Sequence, residues 1–393
     1  MKLKDICRCY TTKEQLVRHY YLQLHIKSGE DRRGRCVVLK GINYKFNNGV
    51  RAIRRWVIPY LNSLIHPDEF RPVLCYLYTE WRCNIDCHYC HQYDNTQEGM
   101  SIETAKSAID WLKSTGCRVV PIMGGEPLLR KDFILEVIRY GVEKGFFVYL
   151  PTNGYLMDKA FIDEMGKAGV AAVNLAVDTI APKKGLPKAL LNIEPQFRYL
   201  VEKQKRYGYL VFFNINICRN NIKDVKLLTE IAHQNNIGTD YHLNEPPQDF
   251  VDVDHYKHKD DGLFITPEQY DEIDELVDWL IERQKRGWPM VNSIEHLMTF
   301  KSRKRGTIGH WDCRAGINGG LIRPDGSLSP CFDLICYNHD WGAIWQPRFD
   351  REKLAEVKRQ CMPYCSSTCF HTMAYYYRLR SVPQWVIKHI RVG

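Results

Sequence analysis

Three thiols at fixed spacing carry the clearest chemistry in this chain. Cys83, Cys87 and Cys90 stand as C-x3-C-x2-C, directly after the apolar run Val73-Leu-Cys-Tyr-Leu-Tyr-Thr79. The run reads as a strand, so the thiols lie on the loop that leaves it. Soft thiolates gathered on one short loop suit iron–sulfur or zinc chemistry. Their number discriminates between the two. A closed structural zinc site asks for four ligands. A four-iron cubane held by three protein thiolates keeps one iron open to a small molecule.

Two further motifs follow apolar runs in the same way. Gly124-Gly-Glu-Pro127 comes after Val119-Val-Pro-Ile-Met123, and Pro151-Thr-Asn-Gly154 after Phe146-Phe-Val-Tyr-Leu150. Alone, Gly-Gly-Glu-Pro reads as a surface turn. With the cysteine motif and Tyr89 before its last thiol, these features resemble the radical S-adenosylmethionine enzymes over about Arg71 to Leu243.

The resemblance implies an α/β fold, a partial (β/α)6 barrel of the TIM type that stays open on one side. It implies a 4Fe-4S cluster on Cys83, Cys87 and Cys90, with the amine and carboxylate of S-adenosylmethionine on the open iron. Gly124 and Gly125 lack side chains and let backbone approach a ligand. Glu126 would accept hydrogen bonds from the cofactor ammonium, and Pro127 would fix the turn. Thr152, Asn153, Asp178 and Asn216 fall at or near strand C-terminal ends, where barrel active sites gather; by resemblance they are candidates for ribose and carboxylate contacts. Tyr89 is expected near the adenine. The implied reaction is one-electron cleavage of the sulfonium, then hydrogen abstraction from an unactivated C–H bond by a 5′-deoxyadenosyl radical. An electron donor such as flavodoxin or ferredoxin is implied with it. The cofactor supplies the hard chemistry, and no residue declares itself as a catalytic acid or base.

A second group of thiols lies near the C-terminus: Cys313, Cys331, Cys336, Cys361, Cys365 and Cys369. Asp325-Gly326 signals a hairpin turn that would bring Cys313 and Cys331 together. The C-x12-G-x4-C element resembles the SPASM or twitch extension of the same superfamily. The later C-x3-C-x3-C departs from full SPASM spacing, which favours one auxiliary 4Fe-4S cluster over two. Its expected ligands are Cys313, Cys331 and two of Cys361, Cys365 and Cys369. Such a cluster would take an electron from the substrate radical, anchor the substrate, or relay electrons.

The elements that must position these groups alternate. Strand-like and helix-like stretches succeed one another six times from Arg71 to Leu243, the pattern of a parallel sheet with right-handed crossovers. Ser101 is the expected N-cap of a helix reaching about Ser114. Residues 1–70 form an N-terminal helical extension, 71–244 the barrel core, 245–309 a linker with an amphipathic helix at Pro267 to Arg286, and 310–393 the small cysteine-rich domain. Glu245 to Phe264 reads as a linker or mobile loop, with His255 and His258 solvated rather than metal-binding. Cys7 and Cys9 read as ordinary thiols.

The chain has 393 residues, of which 45% are hydrophobic, enough for a sizeable core. Fifteen cysteines without a secretory signal sequence at the N-terminus argue for metal binding in a reducing cytoplasm. No stretch is apolar enough to span a membrane. The formal net charge of +9 is satisfied by a solvated surface, a phosphate-bearing substrate, nucleic acid or an anionic membrane. Two basic segments with aromatics, Gly49 to Ile65 around Trp56 and Arg380 to Arg391 around Trp385, suit either packing on the barrel or peripheral contact with a membrane. The first reading is therefore a radical enzyme acting on a biosynthetic small-molecule or lipid-like substrate. The alternatives are a SPASM-type peptide-modifying maturase and, from another class, a zinc-stabilised RNA-binding protein. The missing fourth ligand in the first motif argues against the last, and nucleic acid is not the expected partner.

Overall fold

The structure, a computed structural model, describes residues 53–66, 69–302, 306, 311–346 and 349–376. Six strands alternate with helices: β1 Leu74–Glu80, α2 Ile102–Thr115, β2 Val119–Gly124, α3 Lys131–Glu143, β3 Phe147–Thr152, α4 Lys159–Ala168, β4 Ala172–Ala176, α5 Glu194–Tyr207, β5 Leu210–Ile217, α6 Ile222–Gln234 and β6 Gly238–Leu243. A short helix, α1 Ile58–Ile65, precedes them. After them come α7 Tyr270–Lys285, α8 Ile294–Ser302, β7 Gly319–Ile322, β8 Leu328–Ser329, α9 Arg351–Cys361 and α10 Thr368–Tyr376. The strands form one open sheet in the order β6-β5-β4-β3-β2-β1-β7-β8. Pairing is parallel from β6 through β7 and antiparallel only between β7 and β8.

This is the open barrel that the alternation predicts. Its register turns alternate residues inward. On β5, Val211, Phe213, Ile215 and Ile217 are buried against the helix layer, while Phe212, Asn214 and Asn216 face the lumen half-buried. Fully burying one such aliphatic or aromatic side chain stabilises the fold by about 1.5–3 kcal/mol. Local signals fix the helix ends. Ser101 Oγ accepts from Thr104 N, and Asp158 Oδ1 from Phe161 N. Gly116 ends α2 at φ 92°, a left-handed conformation that favours glycine.

Two departures from the sequence reading matter for the site. The C-terminal hairpin extends the barrel sheet itself: β7 pairs with β1 in parallel, Leu74 opposite Gly319 and Leu77 opposite Ile322. Its turn is nonetheless the one expected, with Gly326 at φ 83° and Arg323 N donating to Ser327 O. The segment after β6, read as a linker or mobile loop, is a strap folded over the cysteine loop. Tyr256 Oη donates to His88 O at 2.7 Å, His255 Nε2 meets His91 O at 2.9 Å, and His258 Nε2 meets Asp86 at 3.0 Å. Val251, Val253 and Tyr256 are buried beneath it.

A single π-turn at Ile53–Val57 leads into α1. Trp56 packs on Phe147 at the start of β3, ring centroids 6.4 Å apart, and Arg55 lies over the same ring. The described part of this basic segment therefore packs on the barrel, although Ile58, Leu61, Leu64 and Ile65 remain exposed. Cys7, Cys9, residues 49–52 and the segment around Trp385 lie outside the described residues. Among the described residues no helix is long and apolar enough to cross a membrane.

Candidate active site and thiol cavity

The loop leaving β1 carries Cys83, Cys87 and Cys90, and the ends of three other strands hold it in place. Gly125 N donates to Glu80 O at 2.7 Å, and Glu126 N to Arg82 O at 2.8 Å. A Cβ on Gly124 would come within 2.3 Å of Glu80 O, and one on Gly125 within 2.3 Å of Arg82 O. The close approach these glycines allow is thus to the backbone that launches the cysteine loop. From β3, Asn153 Nδ2 donates to Asn84 Oδ1 at 2.8 Å. From the end of β4, Asp178 Oδ2 accepts from Tyr89 Oη at 2.6 Å, while its Oδ1 accepts from Asn216 N on β5 at 2.9 Å.

Glu126 is wholly buried. Its oxygens accept from Leu128 N, Thr152 Oγ1 and Asn153 N at 2.7–2.9 Å. Burial pushes its carboxyl up, and the donors from Asn153 and Thr152 oppose that. Glu126 and Thr152 therefore tie β2 to β3, and Pro127 opens the 3-10 turn Pro127–Arg130 beside them. Tyr89 sits against Leu186, Cys218 and Leu263.

One group here escaped the sequence reading. Lys188, on the loop between β4 and α5, lies over the Tyr89 ring at 5.2 Å. Burial works against its charge, but the Cys87 thiol and Asp178 beside it carry its pKa above the ordinary lysine value. Asp178 is itself pushed up by burial and held back by Lys188. The available signal was a basic loop, Lys183-Lys-Gly-Leu-Pro-Lys188, leaving a strand C-terminal end. That loop clasps the cysteine loop, with His88 N donating to Gly185 O at 3.0 Å. Burial pushes the Cys83 thiol up to about 11 and the Cys87 thiol further. A bound metal reverses that order by deprotonating a coordinating thiol outright.

Residues 82–231 match the family model of the Radical SAM superfamily. The chain carries a radical SAM domain over that segment. The chain is 28% identical over 174 residues to Fe-coproporphyrin III synthase of Methanosarcina barkeri, covering 42% of each chain. It is 36% identical over 151 residues to GTP 3′,8-cyclase of Mannheimia succiniciproducens, covering 36% of this chain and 44% of that one. The chain thus spans less than half the length of these curated relatives. Streptococcus suis SuiB bound to precursor peptide SuiA shares the fold at TM-score 0.59 and 14% identity, covering 90% of this chain and 82% of that one. The protein anSMEcpe, solved with S-adenosylmethionine bound, shares it at TM-score 0.52 and 16% identity, covering 81% of this chain and 95% of that one. The superfamily uses a 4Fe-4S cluster with S-adenosylmethionine.

Outside the radical SAM segment, Cys313, Cys331, Cys361 and Cys365 line one cavity together with Asp333 and Lys358. Cys365 Sγ lies 3.7 Å from Asp333 Oδ2, and Lys358 Nζ donates to Cys313 O at 2.9 Å. Burial pushes Cys361 up to about 12 and Asp333 up to about 6, and pulls Lys358 down. Cys369 does not join them. It lies on α10 beside Tyr76, whose hydroxyl lowers a thiol that burial would otherwise raise further. Among the described residues no three Cys, His, Asp or Glu side chains converge closely enough for a single ion. A cubane does not ask for that convergence, because each thiolate takes its own iron.

Proposed function

We propose that the chain reductively cleaves S-adenosylmethionine at a cluster held by Cys83, Cys87 and Cys90, and takes hydrogen from a C–H bond of a biosynthetic small molecule. The single observation that carries this is the set of three thiols on one strand-end loop beside a half-buried lysine, inside a segment that matches the superfamily. Three thiols and no fourth on the loop fit a cubane with one iron free. When bound, the cluster and S-adenosylmethionine supply one electron and a 5′-deoxyadenosyl radical, which becomes 5′-deoxyadenosine as it takes the substrate hydrogen, with methionine as the other product.

The chain's own residues bind and shield. Lys188 is the cation placed to take the cofactor carboxylate, since it stands among the cluster thiols and Asp178. Asp178, Asn153 and Asn216 hold the loop and offer polar contacts at the strand ends. Glu126 and Thr152 position Asn153 rather than meet the cofactor directly. The strap at 245–264 covers the loop from one side and keeps water from a reactive radical. The C-terminal cavity would hold one auxiliary cluster on Cys313, Cys331, Cys361 and Cys365, four thiols that fit a fully ligated cubane. A flavodoxin or ferredoxin would supply the electron. The lumen facing the cofactor end carries Asn214, Asn216 and His242, which suits a polar substrate better than a lipid-like one.

The test is anaerobic reconstitution with iron, sulfide, S-adenosylmethionine and a low-potential reductant. The wild type should release 5′-deoxyadenosine, and substituting alanine for Cys83, Cys87 and Cys90 together should abolish release. Undiminished release from the triple variant would sink the reading.

A further inference from the structure

The barrel lumen holds polar side chains that cofactor binding leaves without a role. Asn174 on β4, Asn214 on β5, and Asp240 and His242 on β6 face inward, alternating with residues buried against the helix layer. Asn214 and Asp240 are direct partners across the β5–β6 ladder, and Asn216 and His242 are the next inward pair. Asn214 Nδ2 lies 3.3 Å from His242 Nε2, which in turn lies 3.6 Å from Asp240 Oδ2. The other oxygen, Asp240 Oδ1, is shut off from solvent and has no hydrogen-bond partner; nor has Asn174 Oδ1.

Such orphans need a cause. A buried acceptor without a donor costs about 1–3 kcal/mol, and more when charged. Nearly all buried polar groups find partners, so an unpaired one in a binding lumen points to a missing ligand. Both orphans here are acceptors, so the missing groups are donors. One of the two is a carboxylate, which selects a positively charged donor. The neighbouring charges agree. Asp333, which lies near Glu245, and Asp178 at the cofactor end are both within electrostatic reach of His242. A phosphate or carboxylate placed between Asp240 and Asp333 would meet like charge, and an alkyl chain would leave both acceptors unpaired.

We infer that the substrate carries a protonated amine that docks on Asp240, with a second hydrogen-bond donor of the same molecule on Asn174. Asn214 and His242 brace the carboxylate from one side and leave Oδ1 free for the ammonium. This rests on the reading of the site as one that cleaves S-adenosylmethionine, and it narrows the substrate class of that site. The ammonium belongs either to a free diamine or to a lysine side chain in a peptide.

The experiment uses the reconstituted protein with S-adenosylmethionine bound. Calorimetric titrations with 1,4-diaminobutane and with a lysine-containing tripeptide are compared with titrations of their N-acetylated forms. Saturable binding of at least one amine, with ten-fold or greater loss on acetylation, is expected. The amine that binds identifies the source. Asp240→Asn and Asn174→Leu should each weaken that binding, Asp240→Asn by ten-fold or more. Iron content and melting temperature of each variant report folding separately. No binding of either amine, or equal binding to wild type and Asp240→Asn, overturns the inference. Release of 5′-deoxyadenosine by the wild type without any amine reports on the cleavage reading alone, so the two can fail independently.

Discussion

Cys83, Cys87 and Cys90 come from one loop of eight residues, whereas Cys313, Cys331, Cys361 and Cys365 are gathered from a segment before β7, the end of β8, the end of α9 and the loop after it. The first set is held by strand ends that exist for other reasons. Glu126, through Arg82 at the start of the loop, and Asn153 and Asp178 each hold it by a hydrogen bond of 2.6–2.8 Å, and those strands are anchored in the barrel core. The second set stands at the ends of elements distant in sequence, which meet at the cavity the four thiols line. Metal at a site that the fold has already built contributes mostly chemistry. Metal at a site that gathers distant segments contributes folding free energy as well.

The largest expected effect that sharpens this contrast is in iron and stability together. Substituting alanine for Cys331 and Cys365 should remove about four irons per chain, the content of one cubane. It should also lower Tm by about 3–5 °C, since a chain of this length shifts by about 1 °C for each kcal/mol lost. The same treatment of Cys83 and Cys87 should remove a similar amount of iron with a much smaller change in Tm. Cys369→Ala should keep all the iron, because that thiol faces Tyr76 instead of the cavity. Iron analysis and differential scanning calorimetry check all three. Zinc in place of iron in the C-terminal cavity, or equal loss of Tm at both sites, would break the comparison.

A smaller effect concerns Lys188. Lys188→Met should raise the KM for S-adenosylmethionine by about ten- to a hundred-fold, since a hydrogen bond to a charged group contributes about 1.5–3 kcal/mol. Lys188→Arg should recover part of the loss. Iron content should stay unchanged in both, because the strand ends and not the lysine hold the loop. Loss of iron in Lys188→Met would mean that its charge supports the thiolates instead.

The contrast also marks what the sequence made legible. C-x3-C-x2-C, the Gly-Gly-Glu-Pro turn and the six strand–helix steps are local patterns, and the barrel follows from them. Four of the five C-terminal thiols considered as ligands meet in one cavity, but spacing could not separate Cys365 from Cys369. The two are four residues apart, and only the docking of α10 on β1 turns one toward Asp333 and the other toward Tyr76. The parallel pairing of β7 with β1 was hidden for the same reason, since it joins residues more than 240 positions apart. The strap was hidden because its contacts are with a loop that has no period. Asn214, Asp240 and His242 were visible in principle: Phe-Asn-Ile-Asn-Ile and Thr-Asp-Tyr-His-Leu alternate strictly. That alternation marks the polar lumen.

The smallest effect is set by pH and acts on the C-terminal side of the comparison. His296 on α8 is fully buried. Its Nδ1 accepts from Asn292 Nδ2 at 3.0 Å, and its Nε2 donates to Ser366 O at 3.0 Å, next to Cys365. Both ring nitrogens are used in the neutral form, and burial holds the pKa down to about 4. In the unfolded chain the imidazole titrates near about 6.5. Between those values the unfolded chain binds a proton that the folded chain refuses, so stability falls as pH falls through that window. Above about pH 6.5 both states are neutral at this ring and the fold loses nothing. Below about pH 4 the penalty is complete, on the order of 3 kcal/mol at most. His91, next to Cys90, is held down to about 4 in the same way and adds a parallel contribution on the other site. His296→Gln should therefore flatten the acid limb of a Tm-against-pH curve by roughly half, leaving His91 to account for much of the rest. It should also slow acid release of iron from the C-terminal cavity without changing release from the 83–90 loop. An unchanged acid limb in His296→Gln would show that the ring takes up its proton equally in both states and that other groups drive acid unfolding.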